Sequence, residues 1–178
     1  MEYIKNVFKR PLVRIIAIAV VFIIIGAAGG GIYSTQQVPD QPIDFPHSTH
    51  VGLGLQCLYC HPAATWGPTA GIPSPQKCWG CHQQIEKEST ELTKLASFVN
   101  EGKSIPWVPV FIQPDFVHFD HRPHVAKGIS CESCHGEISQ MRTAQPRAGQ
   151  NMGWCLDCHK KMMPEDFTRL SDCSTCHY

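Results

Sequence analysis

The sequence predicts a mostly irregular and α-helical domain, internally duplicated, that follows one N-terminal transmembrane helix. An unbroken run of apolar residues and glycine extends from Ile15 to Ile32, while later segments rarely show the apolar periodicity of helices or strands. The 178 residues include ten cysteines and ten histidines. FPHSTHVGLGLQCLYCH at 45–61 recurs as FDHRPHVAKGISCESCH at 119–135, with eight of 17 positions identical. A core of side chains alone would be thin, so we expect other groups to fill the interior.

The N-terminal segments predict a single-pass membrane anchor. Residues 1–14 carry four basic residues, and no further Lys or Arg occurs before Lys77. Residues 15–33 are long enough to span a bilayer, which takes about 17–25 apolar residues. The basic flank places the N-terminus in the cytoplasm, so residues 34–44 form a tether to a periplasmic domain of an inner-membrane protein. A cleaved signal peptide is the alternative, but the apolar run is longer than a usual signal core.

The cysteines all belong to five Cys-x-x-Cys-His motifs, the attachment signature of c-type haem. In such a motif, two thiols bond to the vinyl groups of one porphyrin, and the next histidine lies under the iron as proximal ligand. The sequence therefore predicts five covalently bound haems c. The predicted attachment residues are Cys57, Cys60, Cys78, Cys81, Cys131, Cys134, Cys155, Cys158, Cys173 and Cys176, and the predicted proximal ligands are His61, His82, His135, His159 and His177.

Three other uses of these cysteines fit the sequence less well. A disulfide-rich exported protein would not require a histidine after every second cysteine. Zinc ribbons pair Cys-x-x-Cys units, whereas five units is an odd number and leaves the histidines unused. A thioredoxin-like pair would occur once, within a βαβ pattern.

The remaining histidines are candidates for distal iron ligands because they cluster just ahead of attachment motifs. His47 and His50 in the first copy of the repeat correspond to His121 and His124 in the second. A three-residue step puts both rings on one side of a helical turn, so one ring can face the next haem and the other a neighbouring haem. Each copy then looks self-sufficient, with two distal histidines and two attachment motifs.

The fifth distal ligand has two candidates in the sequence. His118 would give ten histidines for ten axial positions. Met152 lies just ahead of Cys155, and a methionine ligand would raise the potential of its haem. Spacing alone would instead favour packing of Met152 against a porphyrin edge.

The periplasmic part divides into two predicted units. The first unit, residues 45–104, holds two attachment motifs and a helix expected at 83–100. The second unit, residues 105–178, holds three motifs. Without the N-terminal charges the chain has 11 basic and 14 acidic residues and no basic patch, which excludes a nucleic-acid partner. Five closely spaced haems with every axial position filled indicate an electron conduit, with no catalytic site in this chain.

The chain resembles the pentahaem, membrane-anchored cytochrome c subunit of alternative complex III, a quinol:electron acceptor oxidoreductase. The resemblance lies in the short anchor, the five motifs, IPWV at 105–108, PDFVHFDHRPHV at 114–125 and MGWCLDCHK at 152–160. It implies a haem-packed core like those of cytochromes c7 and c3, and it favours Met152 as the fifth distal ligand. It also implies an iron–sulfur subunit, a polytopic quinol-oxidising membrane subunit and a monohaem cytochrome as partners. The expected electron acceptor is a soluble cytochrome c, a copper protein or a terminal oxidase.

Two other functions remain open from the sequence. A membrane-anchored multihaem quinol dehydrogenase that feeds a periplasmic nitrate or nitrite reductase is the main alternative. Its first haem motif typically reads Cys-x-x-Cys-His-x-x-Met, whereas His61 is followed here by Pro62, Ala63 and Ala64. A multihaem reductase of nitrite or a sulfur oxyanion would need an open iron position.

Overall fold

The computed structural model describes residues 11–35, 38–85, 88–147 and 149–177. The chain forms two compact units, Met1–Gln37 and Val38–Tyr178, and we call the second the main domain. The predicted cytoplasmic segment 1–14 lies mostly outside the described residues, as do residues 36 and 37 of the predicted tether.

Helix α1, Pro11–Thr35, is the described element of the N-terminal unit. It begins at a proline, which suits the first turn of a helix because that turn needs no backbone N–H donor there. The side chains of Ile15, Phe22 and Ile25 are all more than half exposed. A search of the described residues finds no helix that meets both the length and the apolarity required for a membrane crossing. The transmembrane span predicted at 15–33 is therefore not confirmed.

The main domain consists of short helices joined by irregular segments and 3₁₀ turns. Its described residues contain no strand, only an isolated antiparallel bridge between Val117 and His177. The helices are α2 (His47–Gly52), α3 (Cys57–Cys60), α4 (Pro75–His82), α5 (Thr90–Asn100), α6 (His121–Ala126), α7 (Cys131–His135), α8 (Met152–Met162), α9 (Phe167–Leu170) and α10 (Cys173–Cys176). The 3₁₀ turns are Pro62–Thr65, Ile138–Gln140 and Pro164–Asp166. The mostly irregular and α-helical fold predicted from the sequence is confirmed for this domain.

The sequence repeat is visible as a structural repeat. Helices α2 and α6 carry the paired histidines, and α3 and α7 carry the attachment motifs that follow them. Helix α2 packs against the turn Ile138–Gln140, and α6 packs against the turn Pro62–Thr65. Each copy therefore packs against the segment that follows the attachment motif of the other copy.

A small apolar cluster lies beside α4 and α5. Ile43, Leu95 and Ile105 are buried there, and Trp79 and Trp107 pack against them. Helix α5 begins at Thr90 because the Ser89 hydroxyl accepts a hydrogen bond from the Glu91 N–H. The helix predicted at 83–100 is thus shorter at its start, although it ends before Gly102, whose φ of 63° stops a helix.

Candidate haem sites

The cysteines of each motif lie on one helical turn. In α3, α7 and α10 the turn is the whole helix, whereas α4 and α8 extend beyond it. Residues three apart share one side of a helix, so both thiols of a motif can reach the same group. The ten cysteines, all among the described residues, form no disulfide with one another, so the disulfide interpretation gains no support. We name each site by its first cysteine.

Three pairs of imidazole rings lie at a similar separation, with interplanar angles of 61°, 3° and 26°. An iron bonded to one nitrogen of each ring at about 2 Å would hold the two ring centroids roughly 6 Å apart. The observed centroid distances are 6.0 Å for His50 and His82, 6.2 Å for His121 and His135, and 6.1 Å for His124 and His159. The spacing therefore fits one haem iron between the members of each pair.

His47 lies close to the proximal histidine of the Cys57 site. Burial lowers the pKa of His47, its hydrogen bond to the backbone of Arg142 raises it, and the nearby charge of His61 lowers it again. Burial likewise lowers the pKa of His135, and the charges of His121 and His61 lower it further. Both rings therefore lie near His61.

Hydrogen bonds fix the tautomer of most of these histidines. A backbone carbonyl can only accept, so an Nδ1 atom bonded to one carries the proton, and Nε2 of the neutral ring is left as the metal ligand. The Nδ1–oxygen distances are 2.6 Å for His61 and Gly71, 2.7 Å for His121 and Pro68, 2.7 Å for His124 and Asp120, 2.9 Å for His50 and Pro46, 3.1 Å for His177 and Phe116, and 3.3 Å for His47 and Arg142. Nδ1 of His159 is buried without such an acceptor.

Two phenylalanines support the paired histidines in the same way in both copies. Phe45 stacks on His50 at 4.2 Å and meets His47 edge-on at 4.9 Å between ring centroids. Phe119 stacks on His124 at 5.0 Å and meets His121 edge-on at 4.8 Å between ring centroids. The sequence signal was present, because this phenylalanine is one of the identical positions of the repeat, but its role was not predicted.

The described thiols show no feature that favours a zinc site. Zinc binds the thiolate form, which a lowered pKa would favour. Burial instead raises the pKa of several of these thiols, and they are Cys60, Cys78, Cys131, Cys134 and Cys155. Within the part of the chain that the structure describes, no group of three or more His, Cys, Asp or Glu side chains is arranged to hold a bare metal ion.

The Cys57 site lies between the Cys78 and Cys131 sites. Beyond the effect of burial, the pKa of Cys131 is raised by the charge of Cys57 and by a thiol–thiol hydrogen bond to it. The pKa of Cys78 is raised by burial and next by the nearby Cys60. The reciprocal packing of α2 and α6 on opposite copies also brings the Cys57 and Cys131 sites together.

The order of sites continues through the second unit. Burial raises the pKa of Cys134, and Cys158 and Cys155 raise it further. Burial also raises the pKa of Cys155, followed by the effect of Cys176. Successive neighbours therefore link the sites Cys78, Cys57, Cys131, Cys155 and Cys173.

Of the two candidates for the fifth distal ligand, His118 is the one with a described contact to the Cys173 motif. Met152 is the first residue of α8, with 60% of its surface exposed. The backbone N–H of His118 donates to the Cys176 carbonyl at 2.8 Å. The ring of Phe116 lies 5.8 Å from that of His177, between centroids, at an angle of 30°.

Comparison with known proteins identifies the family to which the chain belongs. Residues 117–178 match the family described as cytochrome c7 and related cytochrome c. The chain is 37% identical over 161 residues to the multihaem cytochrome c subunit of a menaquinone reductase from Nitratidesulfovibrio vulgaris (strain Hildenborough), covering 78% of this chain and 77% of the relative. The chain belongs to the multihaem cytochromes c. As a member of this family, the multihaem cytochrome binds haem c covalently and transfers electrons.

Proposed function

We propose that this multihaem cytochrome is the five-haem electron-transfer subunit of a membrane quinol-oxidising complex of the alternative complex III type. The observation that carries the proposal is the set of three imidazole pairs about 6 Å apart, each of which joins a motif histidine to a histidine of the repeat. When bound, the haem irons supply one-electron chemistry by alternating between the ferrous and ferric states. Electrons then pass along the domain to a periplasmic carrier or a terminal oxidase.

The chain's own residues hold and orient the haems. In this proposal the ten motif cysteines form the thioether bonds and each motif histidine is a proximal ligand. His47 serves the Cys57 site, His50 the Cys78 site, His121 the Cys131 site and His124 the Cys155 site. The ring distances and the protonated Nδ1 atoms support these assignments. Because both axial positions are filled, substrate has no open iron to bind, which favours electron transfer over catalysis in this chain.

For the Cys173 site we propose Met152 as the distal ligand, with His118 as the alternative. Met152 lies one helical turn before Cys155 in α8, and Cys155 is a neighbour of Cys176. A methionine sulfur at the last site would raise its potential above those of the bis-histidine haems. That order of potentials suits an exit at this end of the domain.

We propose that residues 15–33 of α1 anchor the cytochrome in the inner membrane, with the main domain in the periplasm. The described apolar side chains of α1, such as Ile16, Phe22 and Ile23, are exposed and would be stable in lipid. Alkaline carbonate washing of membranes should leave the cytochrome in the pellet. Release of the intact chain into the wash would refute the anchor without affecting the haem assignments.

The partners follow from the resemblance and from the relative. We propose that an iron–sulfur subunit and a polytopic quinol-oxidising subunit accompany this chain, with a soluble cytochrome c or copper protein as acceptor. Purification in mild detergent, followed by subunit identification, tests this assembly. Recovery with a periplasmic nitrate or nitrite reductase instead would favour the alternative quinol dehydrogenase.

Electron flow in the opposite direction is a second candidate, because the relative is named as part of a menaquinone reductase. The purified complex can be assayed both ways. We expect a menaquinol analogue to reduce the haems and then an added cytochrome c. Faster reduction of a menaquinone analogue by a reduced cytochrome would favour the second direction.

A further inference from the structure

The first histidine of each pair is held by the opposite copy of the repeat. Nδ1 of His47 donates to the carbonyl of Arg142 at 3.3 Å, and Nδ1 of His121 donates to the carbonyl of Pro68 at 2.7 Å. By contrast, His50 and His124 donate to carbonyls four residues earlier in their own copies. The two contacts between copies belong to the Cys57 and Cys131 sites, which are neighbours.

Each exchanged carbonyl fixes both the ring and the backbone of its histidine. The backbone N–H of His47 donates to the same Arg142 carbonyl at 2.9 Å, and the next N–H, of Ser48, donates to Met141 at 2.8 Å. The backbone N–H of His121 likewise donates to the Pro68 carbonyl at 3.2 Å. Two bonds to one acceptor restrict the orientation of the ring as well as its tautomer.

The Arg142 carbonyl is held in place by an ion pair with Asp44, the residue that precedes the first copy. Nε of Arg142 lies 2.9 Å from each carboxylate oxygen of Asp44, and its Nη2 completes a paired contact. The backbone N–H of Asp44 donates to Glu91 at 2.7 Å, which attaches the pair to helix α5. Such a forked contact sets geometry better than a single bond does.

The Pro68 carbonyl is held in place by a tight turn. Gly67 is buried, and a Cβ atom there would meet the Ala63 carbonyl oxygen at 3.2 Å and that of Thr69 at 3.5 Å. The first distance is shorter than an ordinary van der Waals contact, and its partner is backbone that cannot rotate away. A side chain at position 67 would therefore displace the Pro68 carbonyl.

We infer that Arg142 and Gly67 are positioning residues for the distal ligands of the Cys57 and Cys131 haems, each acting from the opposite copy. The inference rests on the proposed ligation by His47 and His121. A donated Nδ1–H makes the imidazole more basic and stabilises the ferric iron. Loss of the Arg142 carbonyl contact should therefore raise the potential of the Cys57 haem and turn the ring of His47. Loss of the Pro68 contact should do the same for the Cys131 haem and His121.

The test uses Arg142→Gln and Gly67→Ala in the full chain with its haems attached. In each variant we expect one of the five low-spin electron paramagnetic resonance signals to shift. At a fixed ambient potential, the ratio of reduced to oxidised iron of that haem should rise about threefold. The change is small because the lost contact acts on the distal histidine and not on the iron directly. Arg142→Lys keeps the positive charge but not the forked contact, so its shift should be smaller than that of Arg142→Gln.

Matched controls separate positioning from loss of charge or of flexibility. Arg169→Gln removes an arginine whose side chain is 66% exposed, as is that of Arg142, and which also pairs with an aspartate. Gly52→Ala places a methyl group where nothing lies within 4 Å. Both control spectra should match those of the unaltered protein.

A double variant identifies the affected haem. Arg142→Gln should cause no further shift when combined with His47→Ala, because the two changes act through one ligand. A shift that persists in the His47→Ala background, or spectra that do not change in either positioning variant, would overturn the inference. If His47→Ala alone leaves five six-coordinate haems, the proposed ligation itself is wrong, which is a different failure.

Discussion

At the residue scale, His124 offers a direct test of distal ligation because its ring lies 6.1 Å from that of His159. In His124→Ala we expect all five haems to remain attached, since the thioether bonds do not involve this side chain. One haem should become high-spin and bind carbon monoxide when reduced, because its iron loses the sixth ligand. Lys127→Ala, at the exposed end of the same helix, is the control. Absorption spectra that show no ligand-accessible iron in His124→Ala would contradict the assignment.

Met152 and His118 can be distinguished by a pair of substitutions. If Met152 is the ligand of the Cys173 haem, Met152→Leu should open that iron to carbon monoxide and remove the charge-transfer band of a ferric iron–methionine bond. His118→Ala should then leave the spectrum unchanged. The opposite pattern would assign the ligand to His118. Ferric and reduced absorption spectra of the two proteins are sufficient.

Asp44 gives a prediction for the pH dependence of stability. Arg142 hydrogen-bonds its carboxylate and holds the pKa of Asp44 below the ordinary value of 3.8 in the folded state. A depressed carboxyl pKa contributes stability above the unfolded value, and this contribution is lost as the pH falls through the lower folded value. The gap in melting temperature between the unaltered protein and Asp44→Asn should therefore be constant from pH 7 to about pH 5 and close below pH 3.8.

The control for this measurement is Asp40→Asn, an exposed aspartate of the same segment. Its gap from the unaltered protein should stay small at every pH. A gap for Asp44→Asn that widens in acid would contradict the ion pair with Arg142 as its cause.

The residues that bear chemistry were predictable from the sequence, but their supports were not. The Cys-x-x-Cys-His spacing is dictated by the covalent chemistry, so the attachment residues can be read directly. The carbonyls of Arg142 and Pro68 are backbone atoms that every residue has, and no sequence pattern marks which of them will face a histidine. The distal and attachment assignments themselves stay predictions until ligation is measured.

At the element scale, capping decides where α8 begins. The side chain of Asn151 accepts a hydrogen bond from the Trp154 N–H at 3.0 Å, just before the helix that carries the Cys155 motif. Asn151→Ala should lower the free energy of unfolding by about 1 kcal/mol. Asn100→Ala, at the exposed C-terminal end of α5, is the control. Denaturant unfolding curves of the two variants that coincide would contradict a stabilising cap.

Capping also explains the one helix whose start was predicted wrongly. The periodicity of residues 83–100 suggested a single helix, yet α5 starts at Thr90. The prediction rested on an apolar face that included Ile85, and it did not consider Ser89 as a cap. Periodicity reports which residues share a face, whereas a cap reports where the backbone hydrogen bonds begin.

At the scale of the whole molecule, the sequence predicted the repeat but not the contacts by which each copy packs against the other. Eight shared positions indicate two copies of one unit. They do not indicate whether a copy packs against its own segments or against those of the other. The structure shows the second arrangement for α2 and α6, so the copies are not self-sufficient. The Cys57 and Cys131 sites consequently depend on both copies.

The folding of the main domain should depend on covalent haem. Among the described residues, only Ile43, Ala64, Leu95 and Ile105 are buried apolar residues. With so few buried side chains, the apolar surface removed from water cannot offset the conformational entropy lost when the domain becomes ordered. We therefore expect a chain produced without haem attachment to lack a cooperative unfolding transition and to be cut rapidly by protease, whereas the mature protein resists both heat and protease.

A variant with serine at all ten cysteine positions tests this dependence without changing the histidines. Serine is close in size to cysteine, so packing alone would be little disturbed. Circular dichroism should show little helix in this variant, because one-turn helices such as α3 and α10 are not stable without tertiary contacts. A cooperative thermal transition in the serine variant would mean that side-chain contacts suffice to hold the domain. The fold would then be stable without the haems, and the close spacing of their sites would need another explanation.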